Sequence, residues 1–158
     1  MPKVIMTCGK ICSGKSTYAK KLQKENKAVI LSIDELMLAL FGGDAGEKHD
    51  EYVERIKGYL YQKSLEIVAA GTDVILDWGF WMKKERDFAR SFYVENGIAN
   101  EFHYIGVDDN EWRRRIDKRN RDILAGKSDA YYIDEGLAAK FTAIFEKPDP
   151  SEMDHWTE

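Results

Sequence analysis

Residues Val4 to Tyr18 read VIMTCGKICSGKSTY, and the fold of the whole chain hangs on them. The stretch opens in a short β-rich run, Lys3 to Cys8, and passes into Lys15 to Asn26, where Tyr18, Ala19 and Leu22 carry helical spacing. Between the two lies Gly9-Lys10-Ile11-Cys12-Ser13-Gly14-Lys15-Ser16, a match to G-x-x-x-x-G-K-[ST] after a strand and before a helix. Glycines let such a loop turn its backbone N–H groups onto phosphate oxygens, and the helix N-terminus adds positive dipole. Lys15 then reaches the β- and γ-phosphates of ATP, and the Ser16 hydroxyl can ligate Mg²⁺. The expected nucleotide cradle is therefore Gly9, Cys12, Ser13, Gly14, Lys15, Ser16 and Thr17. Cys12 sits inside it either as a target where alkylation blocks the nucleotide or, the favoured reading, as a small side chain that fits.

Outward from the loop, apolar runs alternate with helical stretches. Strands are expected over Ala28–Ile33, Asp73–Asp77 and Glu101–Val107. Helices are expected over about Asp50–Ala70 (ended by Gly71), Lys83–Glu95, Glu111–Leu124 and, capped by Asp134, on to about Phe145. Phe41-Gly42-Gly43 makes a glycine-rich break, and Pro148 and Pro150 open an irregular tail. This alternation predicts an α/β fold, a buried and mostly parallel sheet in three α/β/α layers. At 158 residues with 44% hydrophobic content, one domain spanning 1–158 is expected.

Charge and cysteine content narrow the function. A formal net charge of -4 provides no basic field for a phosphate backbone, so nucleic acid is disfavoured as a partner. With no apolar leader and no run of 18 apolar residues, the chain is expected to be cytoplasmic with no membrane partner. Cys8 and Cys12 stand alone, and His49, His103 and His155 are scattered, which does not assemble a zinc quartet. Oligomeric state is open, with a monomer as the simpler expectation.

The loop alone does not separate a switch, a motor and a kinase. A guanine reader Asn-Lys-x-Asp is missing, since Arg119-Asn120-Arg121-Asp122 lacks the lysine, and a motor's acidic pair is missing because Trp78 follows Asp77. Two features favour a kinase. Ser32-Ile33-Asp34-Glu35-Leu36 sets an acid at the carboxyl edge of the sheet, where Asp34 serves as base for an attacking hydroxyl or as a helix N-cap. Arg113, Arg114, Arg115, Arg119 and Arg121 crowd one helix, where they offset charge on a transferring phosphoryl group or merely face solvent.

In order and spacing, GKICSGKST, SIDELM, ILDWGFWMKKERD, WRRRIDKRN and FEKPDPSEMD resemble the small P-loop kinase-like proteins related to chloramphenicol phosphotransferase, zeta toxins and the kinase domain of polynucleotide kinase. The DWGFW segment is similar to a bacterial branch of such ATP-binding proteins. The resemblance implies a nucleoside-monophosphate-kinase-like fold with a basic helical lid over about 111–133. It implies Asp34 as base, Lys15 and Ser16 as the loop's working residues, Arg115 on adenine and Arg119 on the transferred phosphate. It places Asp77 near the magnesium shell or the acceptor, with a buried acid fixing the Gly79 turn as the alternative. Trp78, Phe80 and Trp81 line the acceptor pocket or belong to the core; Arg86 binds an acceptor anion or pairs with an acid. The Phe145–Glu152 tail closes over adenine or caps the core, and the 126–133 segment departs from some relatives in carrying no second lid arginine.

The expected activity is thus transfer of the γ-phosphate of Mg-ATP to a hydroxyl of a small molecule, with Lys15, Asp34 and Arg119 as catalytic residues and Ser16 and Asp77 at the metal. Its rivals are a kinase of polynucleotide 5′-hydroxyl ends and an ATP-binding regulator without transfer chemistry.

Overall fold

The structure, a computed structural model, describes residues 1–42, 44–128, 130 and 132–158. Gly43 of the glycine-rich break, and Asp129 and Tyr131 of the 126–133 segment, lie outside the described residues. The strands are β1 (Lys3–Cys8), β2 (Val29–Leu31), β3 (Val74–Gly79), β4 (Ala99–Ile105) and β5 (His155–Thr157). They form one sheet in the order β2-β3-β1-β4-β5, and all four described pairings are parallel. The helices are α1 (Lys15–Asn26), α2 (Ile33–Phe41), α3 (His49–Ala69), α4 (Lys83–Glu95), α5 (Asp109–Leu124) and α6 (Glu135–Ile144).

The central strand explains the layering. Successive residues of a strand point to opposite faces, and both faces of β1 are apolar. Val4, Met6 and Cys8 pack with Val74, Leu76 and Phe102 against Tyr61 and Val68 of α3 and Ala89 and Tyr93 of α4. Ile5 and Ile75 face the other way, onto Ala19 and Leu22 of α1. Helices therefore cover both sides, and truncating any of these large core side chains costs about 2–5 kcal/mol. Among the described residues no helix is long and apolar enough to cross a membrane.

Three local expectations are corrected. The second strand stops at Leu31 because Ser32 becomes an N-cap, its hydroxyl accepting from Glu35 N at 3.2 Å, so the buried Ile33 begins α2. Asp34 is therefore not the cap. The helix expected from Glu111 starts at Asp109, because Asp108 accepts from Glu111 N at 2.9 Å. The tail beyond Pro148 is not irregular to its end: Pro150–Glu152 makes a short 3₁₀ turn, and His155–Thr157 pairs with β4. A three-residue strand is too short to show alternation; its ladder is supplied by the edge of β4.

Candidate active site

Strand parity brings the first part of the site together. Thr7 shares its face with Ile5 and Asp77 shares its face with Ile75, so both point toward α1, whose first turn carries Ser16. The Thr7 hydroxyl donates to Asp77 Oδ1 at 2.9 Å and the Ser16 hydroxyl donates to Asp77 Oδ2 at 2.8 Å. The Gly79 turn is held without this carboxylate, its carbonyl accepting from Gly9 N at 3.0 Å. A serine hydroxyl beside a carboxylate is the hard oxygen donor set that suits Mg²⁺. Thr7 was not foreseen; the alternation through Ile5 was the signal that could have found it.

The loop fits an anion. Helix α1 has Gly14 as its N-cap, at φ 100°, with no side-chain cap and no acid in the first turn, whereas α2, α5 and α6 are capped by Ser32, Asp108 and Asp134. Its leading N–H groups are thus left for a ligand. A Cβ at Gly9 would lie 2.5 Å from Ile105 O and 2.7 Å from Ser13 Oγ, so only glycine fits there. The Ser13 hydroxyl is buried with no hydrogen-bond partner among the described residues. Lys15 donates to Lys10 O at 3.2 Å. Burial lowers its pKa, while the carboxylates of Asp77 and then Asp34 oppose that shift.

Helix α5 buries Trp112, Ile116 and Asn120, one residue in four, which aims Arg115 and Arg119 at the loop and leaves Arg113, Arg114 and Arg121 exposed. Arg115 Nη1 donates to Ser13 O at 2.8 Å and Cys12 O at 3.3 Å, and its Nε pairs with Glu111 at 3.0 Å. Arg119 Nη1 contacts Cys12 Sγ at 3.4 Å, and Trp112 Nε1 donates to Ile11 O at 2.7 Å. The amphipathic stripe thus turns Arg115 and Arg119, among the five arginines, toward the loop. Cys12, at φ 61°, is a working part of this loop–helix contact.

Two clefts flank these groups. One, of about 940 Å³, is walled by the loop, Tyr18, Arg115 and the β4 and β5 ends at Gly106 and Thr157. The other, of about 930 Å³, lies between α1 and α2 and includes Lys20, Glu35, Met37, His49 and Asp77. Ser16, Asp34 and Arg119 line both. Lys20, one helical turn after Ser16, and His49 were not foreseen; the former was legible from helical spacing alone.

Other expected residues lie elsewhere. Trp78 donates to Leu31 O at 3.0 Å and packs on Tyr61 and Phe80, which is itself buried in the core. Trp81 donates to Gly9 O at 3.1 Å and meets Phe141 edge-on. These aromatics brace the loop and core, and none lines either cleft. Arg86 pairs with Glu152 at 3.0 Å. The Phe145–Glu152 tail is tied to the start of α4, with Glu146 N donating to Trp81 O at 2.7 Å and Lys83 N to Glu146 Oε2 at 3.0 Å. It caps the core; the cleft rim comes from Thr157 and Glu158. The 126–133 segment contributes Ser128 and Ala130 to the clefts, with Arg119 providing the guanidinium at their junction.

Residues 4–148 match the family model described as AAA domain. No curated protein matches the chain's sequence. Similar solved structures include Chaetomium thermophilum Kti12 in complex with ADP-AlF3, with TM-score 0.68 and 16% identity over 98% of this chain and 87% of that one. Mycobacterium tuberculosis APS kinase CysC, in complex with AMPPNP and APS, has TM-score 0.66 and 18% identity over 98% and 87%. A chain of the Pnkp1/Rnl/Hen1 RNA repair complex has TM-score 0.69 and 22% identity over 90% of this chain and 43% of its own length. Identities this low carry the fold and leave the chemistry to the residues.

Proposed function

The chain belongs to the AAA domain family and has a P-loop kinase-like α/β fold, and on that premise we propose that it transfers the γ-phosphate of Mg-ATP to a hydroxyl of a small molecule. The observation that carries this reading is the meeting of two clefts of similar volume at Ser16, Asp34 and Arg119. A nucleotide on the loop side and an acceptor between α1 and α2 would then present their reacting atoms to the same three side chains.

In this reading the loop and Lys15 hold the phosphates, and Arg115 steadies the loop from α5. Asp34 accepts the proton of the acceptor hydroxyl as its oxygen bonds to the γ-phosphorus and the bond from that phosphorus to the ADP oxygen breaks. Arg119 offsets charge on the equatorial oxygens, and Lys15 does the same toward the leaving group. Ser16 and Asp77 would hold Mg²⁺, which when bound supplies positive charge to the phosphate oxygens. Glu35 and Asp44 stand against Lys20 and Arg119 in the acceptor cleft, which leaves it no excess of positive charge and favours a compact molecule over a polyanionic strand.

The test incubates γ-labelled ATP and Mg²⁺ with fractionated hydroxyl-bearing metabolites and antibiotics, using wild type and Asp34→Asn. The expected result is a labelled product with wild type alone, and ATP affinity within a few-fold in the variant. Product from both proteins would remove Asp34 as base. Label on an oligonucleotide 5′ end would replace the small acceptor by nucleic acid. Tight ATP binding with no product anywhere would make the protein a nucleotide-binding regulator.

A further inference from the structure

The sheet face that carries α1 holds a second cluster, beside the loop and not part of it. Glu101 and His103 are alternate residues of β4, so they share a face, and the parallel register sets His155 of β5 opposite His103. Glu101 Oε2 lies 2.8 Å from His103 Nε2 and 3.6 Å from His155 Nε2, and the imidazole centroids are 4.1 Å apart. One donor atom from each of the three falls within 4.8 Å of the others.

We propose that Glu101, His103 and His155 form a site for a transition-metal ion of the zinc class, with solvent in the fourth position. Two imidazole nitrogens and one carboxylate oxygen suit Zn²⁺, Co²⁺ or Ni²⁺ and do not suit Mg²⁺ or Ca²⁺. Bonds of about 2.0–2.2 Å in a tetrahedron hold donor atoms roughly 3.3–3.5 Å apart. The two carboxylate-to-imidazole distances of 2.8 and 3.6 Å straddle that spacing and no donor pair exceeds 4.8 Å, so the ligands close on an ion through side-chain adjustments of about an ångström.

The surroundings are those of a supported site. The His103 side chain is 5% exposed, so its ring is fixed, while His155 at 57% leaves the cluster open to solvent. Lys3 Nζ holds Glu101 Oε1 at 2.7 Å, orienting the carboxylate with Oε2 toward the histidines, while its charge weakens every divalent ion alike. Tyr18 Oη lies 2.7 Å from His103 Nδ1. When Nε2 takes a metal, the ring proton sits on Nδ1, and the Tyr18 hydroxyl accepts from it, since a phenol either donates or accepts. Tyr18 also lines the loop-side cleft, which places the ion one side chain from the nucleotide side.

The test titrates the full chain, without nucleotide, with Co²⁺ followed by visible absorption, and then displaces it with Zn²⁺. The expected result is one equivalent bound with the intense d–d bands of low-coordinate Co²⁺ and no thiolate charge-transfer band. His155→Ala should weaken binding at least about tenfold, and Tyr18→Phe by about 10–100-fold, as loss of an orienting partner does. Because His155 is exposed, its variant should fold, checked by circular dichroism and retained ATP binding. Asp77→Asn should leave the Co²⁺ bands in place. No spectral binding, undiminished binding in His155→Ala, a thiolate band from Cys12, or bands lost in Asp77→Asn would each overturn the assignment.

Discussion

Replacing Arg86 by Met tests whether its guanidinium is a support inside the protein or a hand for an acceptor anion. Arg86 is 2% exposed, its Nε bonded to Glu152 Oε1 at 3.0 Å and its Nη1 donating to Phe80 O at 2.9 Å. Phe80 has φ 48°, a left-handed conformation that costs a non-glycine residue roughly 1–2 kcal/mol, and Arg86 holds its carbonyl there. Removing one partner of a buried pair leaves the other uncompensated, which costs about 3–5 kcal/mol. Against a total stability of about 5–15 kcal/mol that is a large fraction. At about 2–4 °C per kcal/mol for a chain of this length, Tm should fall by about 6–20 °C. Urea unfolding followed by circular dichroism reads the loss, and Arg86→Met/Glu152→Met should recover much of it because no lone charge remains. The same pair sets a pH dependence. Burial pushes the Glu152 carboxyl up, but its bonds to Arg86 and the Asp149 N–H outweigh this and hold it below its ordinary 4.5. A depressed folded pKa means stability present above pH 4.5 and lost as pH falls through the folded value. Arg86→Met should flatten that acid slope. A loss under about 1 kcal/mol, given the 3–5 expected for a buried pair, would refute the reasoning, as would a raised acceptor KM at unchanged stability.

Asn120→Ala strips the buried bonds from its amide to Ile133 O at 2.6 Å and from Ile133 N at 2.8 Å; at about 1–3 kcal/mol for each orphaned backbone group, denaturant unfolding should show a loss of about 2–6 kcal/mol. Lys15→Ala removes the loop's charged donor, and calorimetry should find ATP affinity about 10–150-fold weaker, the equivalent of 1.5–3 kcal/mol; unchanged affinity would put the nucleotide elsewhere. Arg119→Ala should lower kcat about 10³-fold with ATP binding little altered, and the reverse pattern in steady-state kinetics would make Arg119 an adenine contact.

Contiguous signals carried most of the reading. The loop is one unbroken string whose chemistry depends on its own glycines, lysine and serine, so Gly9 to Thr17 were legible together with the strand and helix that flank them. Amphipathic spacing likewise marked the helix, and the resemblance already singled out Arg115 and Arg119 among five arginines; the inward turn of Trp112, Ile116 and Asn120 supplies the reason these two lie against the loop. Asp34 was visible as an acid after a strand, but its rival role as a cap fell only when Ser32 was seen to accept from Glu35 N.

What the linear order could not supply were meetings between distant segments. Trp78, Phe80 and Trp81 are equally apolar in a pocket or a core, and only packing on Tyr61, Leu31 and Phe141 distinguishes the two. Arg86 finds Glu152 across 66 positions, and His103 finds His155 only because three residues with no periodicity of their own complete the ladder of β4. The sequence by itself determined the phosphate loop and the alternation of strands and helices, because both are set by local backbone chemistry and hydrophobic period. The tertiary structure alone decided which side chains share a cleft, a buried pair or a donor cluster, because strand register and helix facing are properties of the packed sheet.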